Sequence, residues 1–422
     1  MRFYIPKTPE ELFEYLEKEG LLDRILMSPY LQYGDANNPY LGAIYLPETN
    51  RPNEITEVIV KTISPIAKDA DMYSPVPMSP HGTSEKIMNI SLAVSDIGMK
   101  MLARDIDTMT QLLTGERGVT GTLAIRQALN FVAMVKEGHA KNNETKRWYL
   151  FNTGTVPIVG LDGYRYDVKY PVDSSYYQIV NVKNGGSGKL SDSGDKLRGW
   201  FNPSYDIIDD IRGMKDSLKD SGFNLESIIC DRWTWNLIQK HPLISERTNS
   251  VMFVDAQGQI RSYAQRASIA AVNQYFIDND LPTLTVNESM YTEDNGVKRE
   301  FMRPPLIHPK RHYMVFIGKV MVPVAPWIDP DTLPIDDPNL LGYFAIGTLT
   351  GEASPGLSTK TRFHKMKPIA WEIQSSQVGL PVLKVDEAIR VLVINEQARN
   401  DAELALLNGG LPANGLLGDE ET

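Results

Sequence analysis

The chain has 422 residues, 42% hydrophobic and 23% charged, so it is long enough for two or three globular domains and is not a disordered sequence. Its net charge of −10 argues against a DNA-binding module, which would present a basic face, but not against a container for DNA. Its apolar runs fall short of the ~20 residues that span a bilayer, and its first residues do not read as a secretory signal.

Residues 1–60 read as an N-terminal arm. Thr8 is the expected N-cap of a short helix, Pro9 takes its first position, Glu11 completes a capping box, and Gly20 is its expected end. The polar, proline- and asparagine-rich passage that follows would bury too little surface to be stable alone. We therefore expect the arm to lie across another surface.

The pattern of residues 55–66 predicts a strand that opens an extended loop. The prolines that follow forbid a continuous central strand and favour a projecting excursion. Methionine, tyrosine and proline at its tip indicate contact with a partner, and a plain surface loop is an equally weighted reading. The candidate contact residues are Met72, Tyr73, Pro75, Pro77 and Met78.

Two helices are predicted next, over residues 95–113 and 122–136. In the second, apolar residues recur at helical spacing, Thr120 is the expected N-cap and Gly138 the expected end. This pattern predicts a long helix with one face on a sheet. Residues 148–200 read as short strands followed by a flexible, glycine-rich loop. The expected core residues of the long helix are Leu129, Phe131, Val132 and Val135.

Helices alternate with apolar strands from residue 202 onward, which predicts a compact α/β domain. Asn202 is the expected N-cap of its first helix, and Asp231 caps a second helix after the strand 225–230. A further helix is predicted over residues 262–278.

A hairpin and a buried strand are predicted to complete this domain. Asn295 and Gly296 are the pair that a two-residue type I′ turn prefers, because both central residues need φ > 0. Residues 313–317 are uniformly apolar, as expected for a strand covered on both faces. Strands over residues 369–374 and 388–394 are predicted to return to the first sheet.

No constellation of catalytic residues is evident, so we expect no enzyme activity, no cofactor and no metal. His308 and His312 have the spacing of a helical metal pair, but Pro309 denies them the helix, so His312→Ala is expected to change little. The aspartates within residues 206–210 are interpreted as favourable charges at a helix N-terminus. The single cysteine, Cys230, is interpreted as a small buried residue of a chain assembled in a reducing cytoplasm.

Two stretches give the chain a specific likeness. Residues 203–242, which include SIICDRWTWNLIQKHP, and residues 285–317, which include EDNGVKREF and MVFI, resemble the major capsid proteins of tailed double-stranded DNA bacteriophages of the lambda type. The start of the extended loop, the long helix and the closing strands occur in the order found in that family. The chain departs from the family pattern over residues 148–200 and 320–357, which are longer than expected.

The resemblance implies an α+β fold of the Hong Kong 97 type. The segments that it implies are an N-terminal arm (1–60), an E-loop (61–95), a P-domain with a spine helix at 120–138 (96–200), an A-domain (201–357), return strands of the P-domain (358–396) and a mobile tail (397–422).

The implied function is structural: self-assembly into the hexamers and pentamers of an icosahedral head that encloses double-stranded DNA without sequence-specific binding. Its partners would be copies of itself, a portal, a scaffold and a decoration protein. Assembly would take place in the host cytoplasm, and the final location would be the virion. The alternatives are the shell of an encapsulin-like compartment and a soluble α/β enzyme.

Overall fold

The computed structural model has an α+β architecture, as the resemblance implies. Its described residues are 11, 14, 15, 18, 40–63, 82–114, 118–160, 165–181, 200, 206–254, 260–264, 267–293, 296–307, 311–319, 341–352, 354–364 and 370–395. Four of these, Glu11, Glu14, Tyr15 and Lys18, are helical and lie where the capping box predicts a helix.

Seven further helices follow within the described ranges. They are α1 (Leu41–Tyr45), α2 (Ala103–Thr114), α3 (Gly118–Thr153), α4 (Ile207–Asp220), α5 (Arg232–Lys240), α6 (Pro242–Asn249) and α7 (Ile269–Asp278). The strands are β1 (Glu48–Asn50), β2 (Glu54–Ile63), β3 (Gly82–Ser91), β4 (Val94–Leu102), β5 (Thr155–Val159), β6 (Arg165–Lys169), β7 (Tyr177–Asn181), β8 (Asn224–Asp231), β9 (Ser250–Val254), β10 (Ile260–Ala264), β11 (Leu284–Asn287), β12 (Met290–Thr292), β13 (Lys298–Glu300), β14 (Arg311–Lys319), β15 (Gly342–Ile346), β16 (Leu357–His364), β17 (Ala370–Leu383) and β18 (Ile389–Asn395).

Two five-stranded sheets organise the molecule. The first sheet has the order β1–β15–β17–β16, and β4 also pairs with β17. The second has the order β11–β8–β14–β18–β7. Four two-stranded pairs lie outside these sheets, namely β2–β3, β5–β6, β9–β10 and β12–β13. Both sheets cross the segment boundaries predicted from the sequence. Strand β7 of the second sheet lies before the predicted boundary at residue 201, and strand β15 of the first sheet lies inside the segment predicted as the A-domain.

The second sheet separates two hydrophobic cores. Alternate residues of β14 point in opposite directions, so Tyr313 and Val315 join the core that contains α3, whereas Met314 and Phe316 join the core under α4 and α7. Residues Arg311–Gly318 of this strand are all buried. The prediction that residues 313–317 form a strand covered on both faces is therefore confirmed.

Side-chain caps start the helices of the second core. The Asp231 carboxylate accepts a hydrogen bond from the Thr234 N–H at 3.0 Å, as predicted. The first helix begins later than predicted, because Asp206 rather than Asn202 is its N-cap, accepting from the Ile208 N–H at 3.0 Å. The aspartates at 206–210 thus lie at a helix N-terminus, as interpreted from the sequence.

Four local predictions are wrong. Residues 95–102 are mostly strand β4, with its alternating exposure, and not helix. The stretch 260–264 is a strand, so the helix predicted from residue 262 starts at Ile269. The Glu293 N–H bonds the Val297 carbonyl, which places three residues in the hairpin loop instead of the two of a type I′ turn. The two closing strands join different sheets, β17 the first and β18 the second.

The long helix begins at Gly118, so the expected N-cap Thr120 lies inside it. It ends fifteen residues later than predicted, at Thr153, so residues 148–153 are helix and not strand. Gly138, the expected end, lies inside it. A Cβ at Gly138 would come within 2.4 Å of the Ile97 Cδ1 atom on β4. The glycine therefore permits a close approach of helix and strand, which the sequence pattern did not distinguish from a helix end. No helix in the described ranges is long and apolar enough to cross a membrane.

Candidate functional site: the segments carried by the long helix

The C-terminal half of α3 presents a face of buried polar residues to the first sheet. His139, Asn143 and Lys146 are spaced three or four residues apart and therefore lie on one side of the helix. The Asn143 amide donates to the Gln377 Oε1 atom at 3.1 Å, and Lys146 Nζ donates to the Gly379 carbonyl at 3.2 Å. Burial lowers the pKa of Lys146 to about 8.

Glu144 and Arg147, on the same helix, hold the chain segment of residues 40–50. Glu144 Oε1 accepts from the Gly42 N–H and from the Trp148 indole N–H, each at 2.7 Å. The Arg147 guanidinium donates to the Leu46 carbonyl at 3.0 Å and contacts Glu144 at 3.3 Å. A charged group is tolerated in the interior only when it is paired and hydrogen-bonded, and Glu144 meets both conditions through its donors and the Arg147 guanidinium.

Two carboxylates at this site have raised pKa values because they are removed from water. For Glu144, burial outweighs the opposing effects of Arg147 and of the Gly42 N–H. For Glu48, burial likewise outweighs Arg147 and the Asn143 amide, which donates to its Oε1 atom at 3.1 Å. Protonation of either group is therefore easier than in water.

Close approach at Gly42 makes this docking possible. A Cβ atom there would lie 2.8 Å from Glu144 Oε1, closer than carbon and oxygen can pack. A side chain at this position would displace the carboxylate that accepts the Gly42 N–H.

The same segment also contacts the second sheet. The Tyr40 ring packs edge-on against Phe301, with centroids 5.2 Å apart, and the Tyr45 hydroxyl donates to Ser227 on β8 at 2.9 Å. β1 adds a parallel edge to the first sheet through β15. The arm predicted over residues 1–60 is therefore anchored on its own chain over residues 40–50.

A long hairpin leaves the body of the protein next to this segment. β2 and β3 pair over ten residues each, from Glu54–Ser91 to Ile63–Gly82, and pair with no further strand of the described part of the chain. Ile55, Met88 and Ile90 bury its base in the first core. The predicted contact residues Met72, Tyr73, Pro75, Pro77 and Met78 lie outside the described residues.

The predicted core face of the long helix is described at one position. Val135 is fully buried. The side chains of Leu129, Phe131 and Val132 lie outside the described set, so their packing stays a prediction.

The residues considered for catalysis have structural contacts. His312 is 1% exposed, its Nδ1 atom lies 2.6 Å from Asp231 Oδ2, and its ring stacks on Trp233 at 3.8 Å. From these contacts we expect His312→Ala to reduce stability, contrary to the expectation from the sequence. Cys230 is buried, and burial raises the pKa of its thiol well above the ordinary value. Within the described ranges, no group of three or more potential metal ligands occurs.

The docking residues Glu144, Lys146 and Arg147 were missed because Gly138 was taken as the helix end. A usable signal was present. Continuing the helical register beyond Gly138 places His139, Asn143 and Lys146 on one face, next to an apolar run that starts at Trp148.

Comparisons with known proteins give structural neighbours only. No family model and no curated protein matches the sequence. A putative prophage capsid protein of Escherichia coli is similar over 92% of this chain and 99% of its own, at 13% identity and a TM-score of 0.45. A phage-related protein of Bordetella bronchiseptica is similar over 88% and 95%, at 13% identity and 0.42. An encapsulin of Synechococcus elongatus is similar over 90% and 98%, at 9% identity and 0.39.

Proposed function

We propose that the chain is a major capsid protein of a tailed phage, a structural and non-enzymatic subunit of an icosahedral head that encloses double-stranded DNA. One observation carries the proposal. The body of the protein, with its two hydrophobic cores, holds a hairpin of two ten-residue strands and an anchored N-terminal segment at its edge.

The hairpin supports the proposal because, within the described residues, its two strands pair only with each other. A two-stranded hairpin alone is marginally stable in water, and each strand here extends about 30 Å. Its base is buried in the first core, while its ladder gains no third strand in the described part of the chain. A neighbouring copy would supply the missing surface, with Met72, Tyr73, Pro75, Pro77 and Met78 as proposed contacts.

The anchored segment fits the same scheme. Residues 40–50 are fixed by Glu144 and Arg147, so residues upstream of Tyr40 would start from a defined point and reach an adjacent subunit. Several modest contacts per copy would act together through high effective concentration. Copies would form hexamers and pentamers, and a portal, a scaffold and a decoration protein are further proposed partners.

Truncation at the two ends of the chain tests this proposal. Deletion of residues 2–36 leaves the anchor intact and is expected to give a folded protein that forms no closed shell. Deletion of residues 397–422 is the matched control and is expected to assemble normally. Shells of normal size from the first variant would contradict the role of the arm.

Replacement of the hairpin tip, residues 66–80, by a glycine-serine linker tests the other contact. We expect it to abolish assembly while circular dichroism stays unchanged. A shell that contains a guest protein instead of nucleic acid would favour the encapsulin-like alternative.

A further inference from the structure

Two basic side chains are buried between α3 and β17. His139 is 2% and Lys146 7% exposed, and they lie about 10 Å apart along one face of the helix. His139 bonds the backbone of Ser375, and its Nε2 atom has no hydrogen-bond partner among the described residues. A neutral ring is tolerated there, whereas a protonated ring would bury an N–H donor without an acceptor.

The groups that face His139 offer little compensation for a charge. On its own helix, Lys146 contributes a second positive charge. From β17 it meets the Ser375 backbone, and from β4 it experiences the attraction of Asp96, which is exposed. Attraction to a solvated carboxylate is weak, because water screens it.

The remaining nearby charges are engaged or solvated. Lys136, three residues before His139 on α3, is buried and is attracted by Glu48. Glu48 on β1 accepts from Asn143 and from Arg147. Helix α2, which also packs on α3, exposes its described charged residues Arg104, Asp105 and Asp107 to solvent.

We propose that the contact between α3 and β17 is an acid-sensitive latch, which opens locally when His139 takes up a proton. Opening lets the imidazolium reach water, which also screens its repulsion from Lys146 on the same helix. The latch lies within one copy of the chain, so it is independent of the proposed shell.

The direction of the pH effect follows from the pKa of His139. Burial is the largest cause, and Lys146 adds to it; together they lower this pKa from 6.5 to about 4 against the opposing Ser375 and Asp96 contacts. The open form therefore binds the proton more tightly than the closed form. The opening constant should rise as pH falls from about 6.5 towards 4, by up to about tenfold per pH unit.

Hydrogen–deuterium exchange of the full chain between pH 7 and pH 4.5, corrected for intrinsic rates, tests the latch. In the unmodified protein, protection of peptides from residues 135–150 and 370–380 should fall by up to roughly a hundredfold. Peptides from 207–220 serve as the internal reference and should keep their protection. His139→Gln, which keeps a donor for Ser375 but does not titrate, should abolish the loss.

Two further variants keep the test decisive if His139→Gln does not fold. Lys146→Met removes a charge that lowers the pKa of His139 in the closed form, so the acid-induced loss of protection should be smaller in this variant. His364→Gln, at a partly exposed histidine next to Glu372, is the matched control and should behave like the unmodified protein. The proposal would be overturned by an equal acid-induced loss in His139→Gln, by an undiminished loss in Lys146→Met, or by full protection of the unmodified protein at pH 4.5.

Discussion

Replacing the buried Lys146 by methionine should stabilise the protein at neutral pH. Among the described residues, the ammonium group has a single hydrogen bond, to the Gly379 carbonyl, and no carboxylate partner. A pKa lowered from 10.5 to about 8 corresponds to about 3 kcal/mol against the charged form. Methionine has a similar length, fills irregular spaces and carries no charge.

The expected net gain is smaller than this figure. Loss of the bond to Gly379 costs about 1–2 kcal/mol, so Lys146→Met should gain about 1–2 kcal/mol at pH 7. Because the folded-state pKa lies below the unfolded one, the unfolded chain binds more protons between pH 8 and 10.5. The unmodified protein therefore gains stability over this range, and the advantage of the variant should shrink.

Urea denaturation at pH 7 and pH 10, followed by tryptophan fluorescence, measures both effects. Lys141→Met is the matched control, because Lys141 lies on the same helix, is one-third exposed and pairs with Glu137 at 2.7 Å. Its effect should stay within about 0.5 kcal/mol at both pH values. A loss of stability in Lys146→Met at pH 7, or a gain that does not shrink at pH 10, would refute the reasoning.

Three further substitutions test contacts of the two cores. His312→Ala should cost about 2–4 kcal/mol in urea denaturation, because it removes a buried stacked ring and leaves the Asp231 carboxylate with one fewer partner. Arg390→Lys should cost about 1–3 kcal/mol, since an ammonium cannot reproduce the five hydrogen bonds of the buried guanidinium. Gly42→Ala should displace Glu144 and expose residues 40–50 to limited proteolysis.

Each of these substitutions has a control elsewhere in the chain. His364→Ala, at the surface, should change stability by less than about 0.5 kcal/mol. Arg212→Lys tests an exposed guanidinium and should be nearly neutral. Gly213→Ala, in a helix with open space around it, should stabilise by about 1 kcal/mol. Proteolysis of Gly42→Ala at the unmodified rate would show that Glu144 does not position the segment.

Local sequence patterns correctly predicted those elements whose composition matches their packing in the fold. The strand at Tyr313–Ile317 is apolar on both faces because two cores meet on it, and Asp231 caps a helix with an adjacent N–H. Gly138 shows the limit of such patterns. In the sequence, a glycine that ends a helix cannot be distinguished from a glycine that makes room for a side chain of a neighbouring strand, as Gly138 does for Ile97 on β4.

Contacts between segments that are distant in the chain could not be predicted from the sequence pattern. From the sequence, His312 was weighed only as a metal ligand, which Pro309 excludes, whereas its partner Asp231 lies 81 residues away in the chain. The two closing strands likewise have similar apolar patterns, but β18 pairs with β14 and β7 rather than with the first sheet. Long-range pairing of this kind depends on topology, which apolar periodicity does not specify.

Negative-stain electron microscopy of the purified chain, combined with sedimentation velocity, tests the central claim most directly. A major capsid protein should form rings of five or six copies, sheets, tubes or closed shells. Nucleic acid and not a guest protein should be the content of shells purified from cells. A single species at the mass of one chain, across a range of salt and protein concentrations, would contradict the account.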